Sequence, residues 1–302
     1  MSRSPETGTP KESATVGVLS ALGAFGIWGV SPLFFNAVSE VPVLEILSQR
    51  ILWASLVVGL VLAFRGEFKR TLAFLAQRKT AWTMVLSTVL VSANWITFIY
   101  AVTSGQALQG SLGYYIFPLV TVLLGRLVLG ESMSCRQTLA LALAFVGVAV
   151  AIEGLGGVPW ISLVLAVTFS LYGLVRKMAP VPALSGLFLE TLLISPFLLT
   201  YLAGMEFFGA GIAFLDGPWP RSLWLMALGP LTAFPLFLFA SAARRMRLST
   251  LGILQYTNPT IQFLVATLVF KESLNPATLA TFACIWCGVA LYLWPDRREK
   301  GA

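Results

Sequence analysis

Residues 43–64 of the chain read VLEILSQRILWASLVVGLVLAF, a run of 22 residues in which the only charged side chains are Glu45 and Arg50. A helix needs about 20 predominantly apolar residues to cross the hydrocarbon core of a bilayer. The run meets that length with only two charges, so it predicts a transmembrane helix.

Runs of the same kind recur along the whole chain, separated by short polar or glycine-containing segments. Charged residues make up 11% of the 302 residues, whereas a soluble domain carries about a quarter. So few charges can solvate the folded chain only if its short loops are the only parts in contact with water. We therefore predict an all-α polytopic membrane protein with ten transmembrane helices. The predicted spans are 16–35, 43–64, 81–102, 107–129, 137–154, 158–178, 184–204, 221–243, 248–270 and 275–294.

The lysines and arginines predict the orientation of these helices. With a cytoplasmic N-terminus, seventeen of the 20 basic residues fall on the inner side, Arg221 and Lys271 fall outside, and Arg50 lies within a span. Basic residues concentrate in cytoplasmic loops, so both termini, residues 1–15 and 296–302, are predicted to be cytoplasmic tails. The net charge of +7 does not indicate nucleic-acid binding, because the positive charges sit between apolar runs and form no patch.

An internal repeat becomes visible when the chain is shifted by 141 positions. The matched residues are Tyr115 with Tyr256, Pro118 with Pro259, Glu131-Ser132 with Glu272-Ser273, and Gly147-Val148-Ala149 with Gly288-Val289-Ala290. Because five is an odd number of helices, the second copy would enter the membrane from the opposite side. We predict two inverted-topology five-helix repeats at 16–155 and 156–295, the alternative being a duplication kept for folding only.

Several longer stretches carry a family resemblance that runs from residue 17 to residue 294. They include Ile27-Trp28-Gly29, Glu45-Ile46-Leu47 with Arg50, Asn94-Trp95, Ser111-Leu112-Gly113-Tyr114, Tyr172-Gly173-Leu174-Val175-Arg176-Lys177, Glu190-Thr191 and Arg247-Leu248-Ser249-Thr250-Leu251-Gly252. In these stretches the chain resembles the RarD group of the EamA-type drug/metabolite transporter superfamily. The resemblance implies a ten-helix transporter of the bacterial inner membrane, and it implies no settled substrate.

Arg50 is the first candidate for a functional side chain inside the membrane, where a charge is costly and marks function. Glu45 is a further candidate near the outer end of the same span, where the alternative is a side chain that simply meets water. A separation of five residues from Arg50 is poor for a direct helical pair. We expect Arg50 to point into the bundle toward Asn94, Tyr114 or Tyr115. Either it binds an anion or a substrate carboxylate, or it is a hydrogen-bonding hub that joins helices.

Glu190 is the second candidate, about six residues inside the seventh span and without a basic residue near it in sequence. One hypothesis makes it a proton-coupling carboxylate, since desolvation favours the neutral form of an acid. The alternative is a neutral acid that is hydrogen-bonded to the backbone or to Gln255.

The ninth span is rich in polar residues and contains a proline. Gln255 and Tyr256 precede Pro259, which interrupts the helical hydrogen-bond ladder, and such breaks are tolerated where they line a cavity. Tyr115 and Pro118 are the repeat counterparts. We expect the two elements to lie in opposite halves of the bilayer and to form two walls of a substrate cavity; ordinary helix–helix hydrogen bonding is the alternative. Six aromatic side chains could stack on an aromatic or cationic substrate, namely Trp28, Trp53, Trp95, Tyr114, Tyr172 and Trp286.

These features predict a secondary transporter that moves small amphipathic metabolites, either amino-acid-like or aromatic, by alternating access. The chain has no histidine, so the usual imidazole metal sites and Ser-His catalysis are excluded, and no cofactor is expected. A membrane enzyme would need clustered acid–base groups, and a channel would need a continuous polar stripe. The sequence shows neither, and it leaves the oligomeric state open.

Overall fold

The computed structural model describes residues 10–130, 134–154, 157–245 and 254–293, and those residues form helices joined by short loops, without a strand. Most of the predicted N-terminal tail, the whole C-terminal tail, Glu131-Ser132 and the stretch from Arg247 to Gly252 lie outside these ranges. The helices are α1 Pro10–Asn36, α2 Val43–Phe64, α3 Phe68–Ala73, α4 Arg78–Thr103, α5 Ala107–Leu129, α6 Cys135–Gly154, α7 Trp160–Met178, α8 Ala183–Phe207, α9 Ala213–Asp216, α10 Trp219–Arg245, α11 Thr257–Leu264 and α12 Pro276–Leu293.

Nine of these helices are long and apolar enough to cross a membrane. They are α1, α2, α4, α5, α6, α7, α8, α10 and α12. The predicted span 248–270 is described from residue 254, where a turn at 255–256 leads into α11 and then into a π-helical segment, Val265–Val269. The prediction of an all-α polytopic membrane protein with about ten membrane helices is confirmed.

Proline and glycine set the ends of several helices. Pro42 and Pro182 cap the starts of α2 and α8 with φ values of −53° and −55°. A proline there loses nothing, because the first N–H groups of a helix have no partner within it. Gly105, at φ +70°, reverses the chain between α4 and α5, a conformation that glycine adopts without strain.

Backbones pack closely where α6 crosses α12. A Cβ added at Gly147 would lie 3.2 Å from the Thr281 carbonyl oxygen, and one added at Gly288 would lie 2.9 Å from the Ala140 carbonyl oxygen. Small residues allow such an approach between membrane helices. Gly147, in the later part of α6, meets Thr281 in the earlier part of α12. Gly288, in the later part of α12, meets Ala140 in the earlier part of α6. The two helices therefore run antiparallel. Both contacts also obey the 141-residue offset.

The contacts between helices keep the same relation when each membrane helix of the first half is exchanged with the fifth membrane helix after it. The exchanged helices are α1 with α7, α2 with α8, α4 with α10, α5 with α11 and α6 with α12. The pair α1–α10 then corresponds to α7–α4, the pair α1–α11 to α7–α5, and the pair α2–α10 to α8–α4; all six are in contact. The pairs α2–α8, α5–α11 and α6–α12 correspond to themselves and are also in contact. A five-helix duplication would produce this relation.

Two carboxylates join neighbouring segments at the end of the bundle where α2 begins, here termed the predicted outer end. The Glu272 carboxylate accepts the backbone N–H groups of Ala107 and Leu108, at 2.7 and 2.9 Å, at the start of α5. Glu45 Oε1 accepts the N–H of Phe214 in α9 at 3.0 Å. Burial raises the pKa of Glu272, which lies in a loop, while the two N–H donors act in the opposite direction. Helix starts favour such acceptors.

Candidate functional site

Arg50 lies inside the bundle, on the second turn of α2, with 8% of its surface exposed. Its Nε donates a hydrogen bond of 2.9 Å to Thr232 Oγ1 on α10. The guanidinium carbon stands 4.7 Å from the ring centre of Trp95 and 5.3 Å from that of Phe35, within the range of a cation–π contact. Nη1 is buried and has no hydrogen-bond partner. Arg50 is therefore held by neutral groups, and part of its hydrogen-bonding capacity is unused.

Asn94 lies beside this group and ties three helices together. Its Nδ2 donates to the Leu165 carbonyl oxygen and to Thr168 Oγ1 on α7, at 3.0 and 3.1 Å. Its Oδ1 accepts the hydroxyl of Tyr114 on α5 at 3.1 Å, and Asn94 directly precedes Trp95, whose ring covers Arg50. A fully bonded polar network of this kind fixes the relative positions of helices, so Asn94 holds the surroundings of Arg50.

Glu190 forms a second buried cluster, nearer the opposite end of the bundle, the predicted inner end. It is 1% exposed, and its Oε1 lies 3.5 Å from Arg176 Nε and accepts a short hydrogen bond from Ser87. Its Oε2 accepts the hydroxyl of Tyr172 at 3.3 Å. The Arg176 side chain, 13% exposed, also donates to the carbonyl oxygen of Val181. Glu190 thus has a built-in cationic partner.

One face of α4 connects the two clusters. Ser87 reaches Glu190, Asn94 binds Tyr114, and Trp95 stacks on Arg50. Ser87, Val91, Asn94 and Trp95 follow helical spacing and share a stripe, and seven residues span about 10 Å along a helix. The two clusters therefore lie one after the other along one face of α4.

Arg50 and Glu190 occupy equivalent positions in α2 and α8. Each is the eighth residue after the proline that caps its helix, Pro42 in one case and Pro182 in the other, an offset of 140. Because α2 starts at the predicted outer end and α8 at the predicted inner end, the two ionisable groups lie at opposite depths, each about 12 Å from the start of its helix.

Tyr115 and Tyr256, the matched tyrosines of the repeat, are in contact. Their rings stack with centres 6.1 Å apart and an angle of 23°, and the Tyr115 hydroxyl lies 2.7 Å from Thr260 Oγ1. The ring contact brings the two proposed walls together in this structure, so no cavity separates these two side chains. The expectation that they lie in opposite halves of the bilayer stays a prediction.

The two prolines act differently. Pro118 lies in the interior of α5, where the helix continues, and the Phe117 carbonyl oxygen accepts the Ser170 hydroxyl at 2.9 Å. Pro259 lies in the first turn of α11, and its carbonyl oxygen accepts the Ser111 hydroxyl at 2.9 Å. Both backbones are thus bonded to a neighbouring helix by a serine.

Glu45 and Gln255 stand apart from the two clusters. Glu45, fully buried, bonds α9 through Oε1 and leaves Oε2 without a partner, which corrects the expectation of a wet side chain. The Gln255 carbonyl oxygen accepts the N–H of Asn258. The hydrogen bonds of Glu190 go to Ser87 and Tyr172, so the expected link between Glu190 and Gln255 is wrong.

A small cavity lies at each end of the bundle. One, of about 130 Å³, is lined at the predicted outer end by Gly105, Gln106, Gln109, Glu272 and Phe282 among others. The second, of about 100 Å³, is lined at the predicted inner end by Thr121, Ser170, Gly173 and Lys177 among others. Ligand pockets usually measure about 300–1,000 Å³, so neither cavity would hold a metabolite unless the bundle opens further.

Sequence reasoning missed three partners of these clusters: Arg176, Ser87 and Thr232. Arg176 was counted only among the basic residues of the inner side. It lies four residues after Tyr172, so both project from one face of α7, and both reach Glu190. That spacing was a usable signal. Ser87 and Thr232 carried none, because hydroxyl residues are common in apolar helices and only the packing selects them.

Comparison with known proteins agrees with this architecture. The model of the EamA-like transporter family matches residues 15–152. An uncharacterized transporter of Pseudomonas aeruginosa is 43% identical over 91% of this chain and 92% of its own length. Protein RarD of Salmonella typhimurium is 40% identical, covering 92% and 94%, and protein RarD of Escherichia coli is 37% identical, covering 92% and 93%. A crystal structure of a protein with 20% identity superposes with a TM-score of 0.57 over 91% of this chain and 96% of that one, which supports the fold alone.

The helical bundle and these relatives define the class: the chain is a multi-pass membrane transporter of the EamA-like type. Within the drug/metabolite transporter superfamily it belongs to the RarD group, as the resemblance of its sequence predicted.

Proposed function

We propose that this chain is a secondary transporter that carries small amphipathic metabolites across the inner membrane by alternating access. The observation that carries the proposal is the equivalent placement of Arg50 and Glu190. Two buried ionisable groups lie at the same distance from the starts of two helices that run in opposite directions, one group nearer each end of the bundle. A solute that passes between the ends along α4 would meet one group after the other.

The proposal includes two inverted repeats, residues 16–155 and 156–295. Support comes from the antiparallel crossing of α6 and α12, the 141-residue offset of its contacts and the exchange relation among helix pairs. In transporters with inverted repeats, the two repeats exchange conformations and open a central site to each side in turn. Both termini are then cytoplasmic, in keeping with the distribution of basic residues.

Glu190 is the proposed coupling residue, acting through a proton or through exchange of solutes. As a carboxylate it pairs with Arg176; as a neutral acid it would release Arg176, which also holds the carbonyl oxygen of Val181 at the start of α8. Gain or loss of one proton would therefore change how α7 and α8 are joined at the predicted inner end. A buried carboxylate in a membrane helix is a frequent proton-relay group.

The test is counterflow in proteoliposomes that contain the purified protein and a pool of unlabelled amino acids and aromatic acids. Labelled members of the pool should accumulate transiently inside, above liposomes that lack protein. Glu190→Gln should keep this exchange and lose accumulation driven by a pH gradient, whereas Glu206→Gln, an exposed carboxylate at the end of α8, should behave as wild type.

Two results would count against the proposal. Absence of counterflow for the whole pool, by protein that unfolds cooperatively on heating, would contradict transport of such metabolites. Undiminished accumulation by Glu190→Gln under a pH gradient would contradict the coupling role.

A further inference from the structure

Arg50 is a buried cation for which the described part of the chain provides no carboxylate. Its one hydrogen-bond partner is the neutral hydroxyl of Thr232, and Nη1 is buried without a partner. A charge buried without compensation is strongly unfavourable, and the two cation–π contacts recover only part of that cost. The site is therefore incomplete as it stands.

The equivalent position in the second half of the chain shows what is missing. Glu190 has its counter-ion, Arg176, on the preceding membrane helix, α7. The residues 140 and 141 positions before Arg176 are Asn36 and Phe35 on α1, neither of them charged, and Phe35 contacts Arg50 with its ring. Where the second half has a residue of opposite charge, the first half has an aromatic ring. No described residue supplies the anion for Arg50, so a ligand's anion is the partner that would complete the site.

The surroundings of Nη1 limit the kind of anion. Trp95 and Phe35 cover the guanidinium with aromatic surface, and Tyr114 lies alongside with its hydroxyl already bonded to Asn94. Arginine matches the geometry of a carboxylate, and one arginine balances one carboxylate. A phosphate monoester carries about two negative charges at neutral pH and would leave one of them buried and unpaired. The aromatic walls favour an apolar or aromatic body on the ligand.

We infer that Arg50 binds the carboxylate of the transported solute, a small monocarboxylic acid with an apolar or aromatic body, zwitterionic amino acids included. This inference rests on the proposed transport function and adds the substrate class. It also gives the first half of the chain a recognition role and leaves the coupling role to Glu190.

The test is ligand binding to purified protein in lipid nanodiscs, followed by the rise in melting temperature that ligand binding causes. The probes are phenylacetate, indole-3-acetate, L-phenylalanine and L-tryptophan, each compared with its amide, which keeps the body and removes the charge. At least one acid should raise the melting temperature saturably while its amide does not. Loss of a charge-assisted bond to the ligand should weaken binding of that acid by about tenfold or more in Arg50→Gln.

Three further variants keep the result interpretable. Arg50→Lys retains the charge but not the forked geometry, so it should bind with intermediate affinity. Thr232→Val removes the acceptor of Nε and keeps the cation, and it should bind the acid better than Arg50→Gln does. Arg78→Gln, at an exposed arginine at the start of α4, should bind as wild type.

The inference is overturned if amides stabilise the protein as acids do, if Arg50→Gln binds the acid unchanged, or if no acid of the panel shifts the melting temperature. An acid that binds through Arg50 but is not exchanged in proteoliposomes would leave the site assignment standing and would contradict transport instead.

Discussion

The pairing of Arg176 with Glu190 predicts a strongly non-additive response to mutation. Arg176→Met leaves a carboxylate that is 1% exposed with two hydroxyl partners and no cation. Removing one partner of a buried ion pair costs about 3–5 kcal/mol. Because Arg176 retains some exposure and the N–O distance is 3.5 Å, we expect a value near the lower limit, about 3 kcal/mol.

Glu190→Gln should cost less, about 1 kcal/mol, because an amide oxygen can still accept the Ser87 hydroxyl and the freed arginine can still bond a carbonyl oxygen. In the double variant, Arg176→Met with Glu190→Gln, neither charge remains, so none is left buried without a counter-ion. The total loss should then be about 2 kcal/mol, which is less than the sum of the two single losses by about 2 kcal/mol.

The measurement is unfolding of the four proteins in detergent, by SDS titration and by tryptophan fluorescence on heating. The matched control cycle uses Arg78→Met and Glu206→Gln, exposed residues on α4 and α8, whose effects should add within about 0.5 kcal/mol. Additive losses at Arg176 and Glu190, or a larger loss for Glu190→Gln than for Arg176→Met, would refute the reasoning.

Three further predictions concern the predicted outer end and the crossing of α6 and α12. Lys271 has φ +56°, at the position matched by Gly130 at +68° in the repeat, so Lys271→Gly should raise the unfolding free energy by about 0.5–1 kcal/mol by relieving left-handed strain; an unchanged or lower stability would contradict this. Gly288→Leu should lower the melting temperature markedly, because its Cβ would meet a backbone oxygen at 2.9 Å, whereas Gly204→Ala, with nothing within 4 Å, should not; equal effects would refute the packing argument. Burial raises the pKa of Glu272. The contribution of Glu272 to stability is therefore full below its unfolded-state pKa and falls as the pH rises through its folded-state pKa. The stability of wild type relative to Glu272→Gln, measured by SDS titration, should decrease from about pH 4 to about pH 8, and an increase would show that the backbone donors dominate.

The membrane fold was predictable because the signal is one of composition. A run such as 43–64 has one physical solution in a bilayer, a helix with all its backbone groups bonded internally. The 141-residue offset was equally readable, since it joins positions that are hard to match by chance, such as Tyr115 with Tyr256. The contacts of Gly147 and Gly288 then follow the same offset.

The composition of the candidate site was only half predictable. Arg50 and Glu190 stood out because charges are costly within an apolar run, and Trp95 and Tyr172 were named as aromatic candidates. Their partners depend on the rotation of each helix about its axis, which packing decides. Arg176 was counted only as a basic residue of the inner side. It lies in the last turn of α7, and the packing of α7 against α4 brings it to Glu190.

The contact between Tyr115 and Tyr256 was the other feature that the sequence did not give. Matching the two positions by their offset does not show whether the rings touch or face each other across a cavity. In the structure a turn at 255–256 leads into α11, and the ring centres lie 6.1 Å apart. The packing of α5 against α11 therefore decides this contact.

Alternating access is tested most directly by a single cysteine at Val91, on the face of α4 between Ser87 and Trp95. Val91→Cys is made in protein whose three native cysteines are replaced by serine, and a membrane-impermeant thiol reagent is applied to oriented vesicles from one side or the other. Val91 is buried, so reaction requires opening of the bundle. We expect slow labelling of Val91→Cys from both sides, in each case altered by a transported solute; labelling from one side only would contradict alternating access.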